Sequence, residues 1–141
     1  MNIYFACSIT GGRQDEDDYK KIVDFLLSQG YEVPTASLAS KEVILLEGIV
    51  KAADVYQRDI SWIRGCDILI AEVSTPSHGV GYEIGYALHL GKPVICLHQE
   101  NTLVSKMITG NPDPQLQVFG YQSIDQAISF LSDQLGDHIP S

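Results

Sequence analysis

Apolar residues fall along the chain in short unbroken runs, separated by stretches where they recur every three or four positions. The runs Asn2–Ile9, Cys66–Val73 and Pro93–His98 have few polar interruptions, which predicts strands buried on both faces. Tyr31–Thr35 predicts a shorter second strand, and Gln117–Tyr121 predicts the last one. Between them, Tyr19, Ile22, Val23, Leu26 and Leu27 repeat at helical spacing, with acidic residues from Asp15 to Asp18 ahead of them and Gly30 behind. That pattern predicts a helix opened by favourable charge and closed by glycine. Val43, Leu46, Val50 and Ala53 share one helical face, and a second helical stretch runs from about Asp54 to Arg64 with Gly65 as its stop. Further helices are predicted from about Val80 to Leu90, ended by Gly91, then near Leu103–Ile108, and through Ile124, Ile128, Leu131 and Leu135.

Apolar strands alternating with amphipathic helices predict an α/β domain over residues 1–141. The expected architecture is a five-stranded parallel sheet with helices on both faces, a flavodoxin-like or Rossmann-like three-layer sandwich. Ligands of such sheets bind beyond the carboxyl ends of the strands, where the winding direction switches. The rule selects two loops, Ser8–Arg13 and Ser74–Gly81, which are also rich in glycine and hydroxyl groups.

Composition narrows the ligand. With 141 residues, 45% of them apolar and 19% charged, the chain has material for a core and does not read as disordered. Nine Lys and Arg against 18 Asp and Glu give a net charge of −9, and Arg13, Arg58 and Arg64 are the only arginines. Nucleic acid is therefore excluded as an expected partner, since backbone affinity needs a clustered basic face. An anionic ligand must be met locally, by backbone N–H groups and hydroxyls. The apolar runs fall far short of the ~20 residues of a membrane span, and no basic-then-apolar leader opens the chain, so a cytoplasmic location is expected. Cys7, Cys66 and Cys96 are widely spaced within apolar runs and read as reduced core thiols. The four histidines lack ligand-like spacing with them, and no metal or other cofactor is expected.

Five positions carry candidate chemistry. Ser8-Ile9-Thr10-Gly11-Gly12-Arg13 offers close backbone approach, hydroxyls and a guanidinium suited to a phosphate, although two glycines after a strand also make a plain turn. The loop is neither a Walker A motif nor the spaced dinucleotide fingerprint. In Ser77-His78-Gly79-Val80-Gly81-Tyr82-Glu83-Ile84-Gly85, Glu83 falls in the first turn of the predicted helix, whose field would hold it ionised as a carboxylate nucleophile requires. Such an acid also has a merely stabilising explanation, but Val80 stands where a capping box wants Ser or Thr. Asp59 shares a helical stripe with Val55 and Trp62, so it must find a partner or shift its pKa upward; the two readings are a second reacting carboxyl and an acid at the edge of the stripe. Tyr4 is either a phenol reaching the cleft or a core tyrosine with its hydroxyl satisfied. Glu72, at the end of a strand, either faces the crevice or caps the loop that follows.

Taken together, Ile3-Tyr4-Phe5, Ser8-Ile9-x-Gly11-Gly12-Arg13, Asp59-x-x-Trp62, Ala71-Glu72-Val73, Pro76-Ser77-x-Gly79-Val80-Gly81-Tyr82-Glu83-x-Gly85 and Ser105-x-Met107-Ile108-x-Gly110 resemble the 2′-deoxynucleoside 5′-phosphate N-hydrolases. These belong to the nucleoside 2-deoxyribosyltransferase superfamily. The resemblance implies cleavage of the N-glycosidic bond of a (deoxy)nucleoside monophosphate to free base and (deoxy)ribose 5-phosphate. Glu83 matches the family's nucleophile, which forms a glycosyl ester that water hydrolyses. Asp59 matches the acid that assists base departure or orients the reacting groups, and Tyr4 the phenol beside the nucleophile. Ser8, Ile9, Gly11, Gly12, Arg13, Ser77 and Gly79 match the 5′-phosphate cradle. Ser105 and Met107 complete the binding set, Ser105 reaching the phosphate from a neighbouring subunit, so the resemblance also implies a homodimer. Thr10 stands where better-known members have a second arginine, and Ser37 where they tend to have a histidine.

Two other readings remain at this level. One is a transferase that passes deoxyribose to a second base; its members tend to carry an acid where this chain has Ser77, and an acid would repel a phosphate. The other is a flavodoxin-like module that binds a nucleotide without turnover.

Overall fold

The computed structural model describes residues 1–9, 15–39 and 48–136, apart from the side chains of residues 38 and 39. Four strands form one parallel sheet in sequential order: β1 (Ile3–Ala6), β2 (Ile68–Glu72), β3 (Val94–Gln99) and β4 (Leu116–Tyr121). Among the described residues the helices include α1 (Glu16–Ser28), α2 (Ala52–Gly65), α3 (His78–His89), the short α4 (Lys106–Thr109) and α5 (Ile124–Gly136). Among the described residues no helix is long and apolar enough to cross a membrane.

The α/β architecture with helices on both faces is present, but the expected fifth strand is not. Tyr31–Thr35 contributes only an isolated bridge from Glu32 to Asn2 on the free edge of β1. Glu32 receives the Ile3 N–H at 2.8 Å and donates to Met1 at 3.0 Å. Pro34 then has no N–H to continue the ladder. The next inward donor, the Phe5 N–H, is taken at 3.0 Å by the Thr35 hydroxyl instead of a backbone carbonyl.

Side-chain alternation divides the core. Ile3, Phe5, Ile68, Ile70, Ile95 and Leu97 face α1 and α5, meeting Tyr19, Ile22, Leu26, Ala127 and Leu131. Tyr4, Ala6, Leu69, Ala71, Val94 and Cys96 face α2 and α3, meeting Ile63, Val80, Ile84 and Ala87. The period of two thus assigns Tyr4 to one face and Glu72 to the other. Gly30 and Gly91, expected as helix stops, take positive φ of 84° and 76°, a conformation that costs glycine least. Cys7, Cys66 and Cys96 are buried and form no disulfide. Val43 and Leu46, two of the positions expected to share a helical face, lie outside the described residues.

Candidate active site

Beyond the carboxyl ends of β1 and β2, on the α2 and α3 side of the sheet, lies a cavity of about 1080 Å³. One wall is α2, with Val55, Tyr56, Asp59, Ile60 and Ile63; the opposite wall is the start of α3, with Ser77, His78, Gly79, Val80, Tyr82 and Glu83. Cys7 and Ile9 close it from the end of β1, and Gly48, Val50 and Ala52 from the chain entering α2. The α2 residues fall at positions i, i+1, i+4, i+5 and i+8, one helical stripe.

Glu83 and Tyr4 meet at the base of this cavity. Tyr4 is 1% exposed in the centre of β1, and its hydroxyl donates to Glu83 Oε2. The Tyr4 phenol packs in the core and, without lining the cavity itself, turns its hydroxyl to Glu83, which does line it. Burial pushes the Glu83 carboxyl up to about 8, while a donated hydrogen bond favours its charged form and fixes its orientation.

The position of Glu83 within its helix differs from expectation. Ser77, not a residue near Val80, caps α3, accepting the Val80 N–H at 3.3 Å, and the first turn contains no acid. Glu83 therefore sits in the second turn, beyond the strongest helix field. Its environment favours the proton, where the sequence predicted a carboxylate held ionised by the helix. The glycine-rich stretch His78-Gly79-Val80-Gly81 has low helix propensity, which is why the pattern placed the start too late. A Cβ on Gly79 would meet only Ser77 Oγ, at 3.8 Å, and one on Gly81 would meet nothing within 4 Å. Neither glycine is demanded by the protein's own packing; Gly79 opens onto the cavity and Gly81 does not line it.

Asp59 faces the same cavity and has found a charge partner. Arg58 Nε donates to Asp59 Oδ1 at 2.9 Å, and the Arg58 guanidinium lies 5.0 Å from the centroid of the Trp62 ring. The adjacent arginine is the compensation that the stripe of apolar neighbours required.

The remaining predicted residues are distributed as follows. Ile9, Ser77 and Gly79 line the cavity. Ser8 is fully buried at the end of β1 and is not among the lining residues. Gly11, Gly12 and Arg13, with Thr10, lie outside the described residues. Ser37 is exposed in a 3₁₀ turn spanning Ala36–Ala39. Ser105 caps α4, accepting the Met107 N–H at 3.2 Å, and is exposed away from this chain's own cavity; Met107 is 84% exposed beside Leu103 at 94%. Glu72 points to the opposite face and caps its own loop, accepting from Ser74 N at 2.6 Å. The sequence reading did not single out Val50, Tyr56, Ile60 or Tyr82 as site residues, although the α2 stripe around Asp59 carried the signal.

Comparison with known proteins follows the same outline. A family model described as nucleoside 2-deoxyribosyltransferase matches residues 3–127. A mouse protein named 5-hydroxymethyl-dUMP N-hydrolase is 40% identical over 125 residues, covering 85% of this chain and 72% of its own length. Its zebrafish namesake (Danio rerio) is 39% identical over 138 residues, with 94% of each chain covered. Among solved structures, a CMP N-glycosidase from Clostridium botulinum superposes with a TM-score of 0.73 at 21% identity, covering 95% of this chain and 99% of that one; at that identity the likeness concerns the fold.

Proposed function

This chain belongs to the nucleoside 2-deoxyribosyltransferase family, and from that premise we propose that it cleaves the N-glycosidic bond of (2′-deoxy)nucleoside 5′-monophosphates. The observation that carries the reading is the Tyr4 hydroxyl aimed at Glu83 inside a cavity that also holds Asp59. Ionised Glu83 attacks C1′; the C–N bond breaks, its electron pair leaves with the base, and a proton joins the base from the site or solvent. A developing oxocarbenium charge is stabilised by the carboxylate below the ring. Water then cleaves the glycosyl ester, releasing (deoxy)ribose 5-phosphate and restoring Glu83. Tyr4 holds the nucleophile in line, and Asp59, braced by Arg58, orients the sugar and the departing base.

The 5′-phosphate is assigned to the start of α3. The first N–H groups of a helix have no acceptor within it, and Ser77 adds a hydroxyl without adding negative charge. That last point favours hydrolysis of nucleotides over transfer between unphosphorylated nucleosides. By the family resemblance, Ser8, Ile9, Gly11, Gly12 and Arg13 complete the proposed phosphate cradle. Ser105 and Met107, exposed on α4, are assigned to the site of a second copy in a homodimer. Nucleoside monophosphates and buried thiols both accord with the cytoplasm.

Chromatography of products from a panel of deoxy- and ribonucleoside monophosphates and their dephosphorylated counterparts tests the reading. Free base and sugar phosphate are expected from monophosphates, with roughly 10³-fold or greater loss in Glu83→Gln. Base exchange in place of sugar-phosphate release would assign the chain to transfer instead.

A further inference from the structure

The most elaborate polar cluster outside the cavity lies on the other face of the sheet, at the same carboxyl end. Glu72 is 0% exposed, and Ser74 and Thr75 are 8% and 9% exposed. Glu72 Oε1 accepts the Ser74 N–H at 2.6 Å, and Oε2 accepts the Ser74 hydroxyl at 3.0 Å and the Tyr121 hydroxyl. Ser74 Oγ in turn accepts the Gln99 N–H at 2.8 Å. Gln99 Nε2 donates to Asp15 at 2.8 Å and to Asp18 at 3.2 Å, while the Thr75 hydroxyl donates to Asp15 at 2.8 Å. The cluster therefore fastens the Ser74–Ser77 side of the proposed phosphate site from behind, and ties it to Asp15 ahead of α1. Ser74 and Thr75 open the loop that ends at Ser77, and Asp15 stands between the first loop and α1.

We infer that Glu72 is a positioning residue for phosphate binding, its carboxylate holding the Ser74–Ser77 loop in the geometry that presents Ser77 and the start of α3 to the substrate. The inference rests on the reaction proposed above and adds to it a specificity device remote from the reacting atoms.

The bonding requires an acceptor. A proton on Oε1 would face the Ser74 N–H, which has no lone pair to receive it. A proton on Oε2 would force one hydroxyl to turn from donor to acceptor, and Tyr121 has an alternative in Asp18 at 3.4 Å. Burial, the largest cause, and nearby Asp15 push Glu72 up to about 7 against the opposing hydrogen bonds from Tyr121 and Ser74. Among the described residues the titratable groups around it are Asp15 at the N-cap of α1, Asp18 and Tyr19 on α1 and Tyr121 on β4, with Cys7 beyond Tyr19 after β1. Glutamine resembles the protonated acid, with an amide donor in place of the added proton.

The test is calorimetric binding of 2′-deoxyuridine 5′-monophosphate and of 2′-deoxyuridine, from pH 5.5 to 9, in chains that carry Glu83→Gln to stop turnover. Adding Glu72→Gln is expected to weaken the monophosphate about tenfold at pH 8.5 and above, and the nucleoside by less than about twofold. The monophosphate ratio between the two chains should shrink towards one as pH falls through about 7, because the reference chain then protonates Glu72. The phosphate's own titration is common to both chains and cancels. Tyr121→Phe removes one donor to the ionised form, so it should move the transition to higher pH; it carries the test if Glu72→Gln does not fold. A ratio constant with pH, or equal loss for nucleotide and nucleoside, overturns the positioning role. Failure of the unsubstituted chain, with Glu83 intact, to release base from any monophosphate is a separate result, which overturns the reaction and leaves these binding ratios readable.

Discussion

At the scale of single residues, the account turns on a carboxyl whose surroundings oppose the charge it needs. Glu83 is pushed up to about 8 by desolvation, so kcat/KM should rise with pH and level off only above that value, read from initial rates across a pH series. Tyr4→Phe deletes a hydrogen bond that favours the ionised form and should shift the rise to higher pH. The same burial has a stability consequence of definite sign. Because the folded pKa lies above the usual 4.5, the folded chain holds a proton that the unfolded chain has lost, and stability falls as pH rises through that window. Glu83→Gln removes the penalty, so thermal melts should show the variant more stable by at least about 3 °C at pH 8.5 and indistinguishable near pH 4. A variant less stable at high pH would contradict the buried, unfavourably charged nucleophile. Tyr4 and Glu83 are 79 residues apart in the chain. Their meeting is what the family resemblance implied, since the residues alone left Tyr4 open between cleft and core; the raised proton affinity was not legible, because it comes from burial that only the folded chain creates.

At the scale of elements, Ser77 has two duties that one substitution separates. As N-cap it accepts the Val80 N–H, and aspartate caps as well as serine. Ser77→Asp should therefore keep the melting temperature within a few degrees while weakening binding of monophosphates far more than of nucleosides, as measured by KM for each pair. Equal loss for both would remove the phosphate from the start of α3. The strands β1, β2 and β3 were legible because sheet burial on both faces writes itself as unbroken apolar sequence. The segment at Tyr31–Thr35 alternates apolar and polar residues as an edge strand would, yet Pro34 and the Thr35 hydroxyl convert it from a strand to a single bridge. The start of α3 was illegible for the converse reason, since glycines at 79 and 81 conceal a helix that the Ser77 cap and packing of Val80, Ile84 and Ala87 impose. Glu72 was placed correctly at a strand end, and alternation with Ile68 and Ile70 sets its face, but only the fold brings Tyr121 from β4 to bond it there.

At the scale of the whole molecule, Leu103 and Met107 flank Ser105 on a segment more exposed than any other large apolar side chains described. The proposed second copy, receiving Ser105 into its site, would cover both side chains. Mixing Glu83→Gln with Ser105→Ala chains should then recover, at low substrate concentration, activity that neither possesses alone. In the mixed dimer one site combines an intact Glu83 with an intact partner Ser105; unchanged activity on mixing would confine each site to one chain. Whether Glu83 bonds to C1′ is read by peptide mass spectrometry after reaction with a 2′-fluoroarabino nucleoside 5′-monophosphate. Its fluorine opposes the positive charge needed to break the ester. The account predicts one sugar phosphate per chain, attached to the peptide that contains Glu83. Attachment elsewhere, or base release with no attachment, would contradict it.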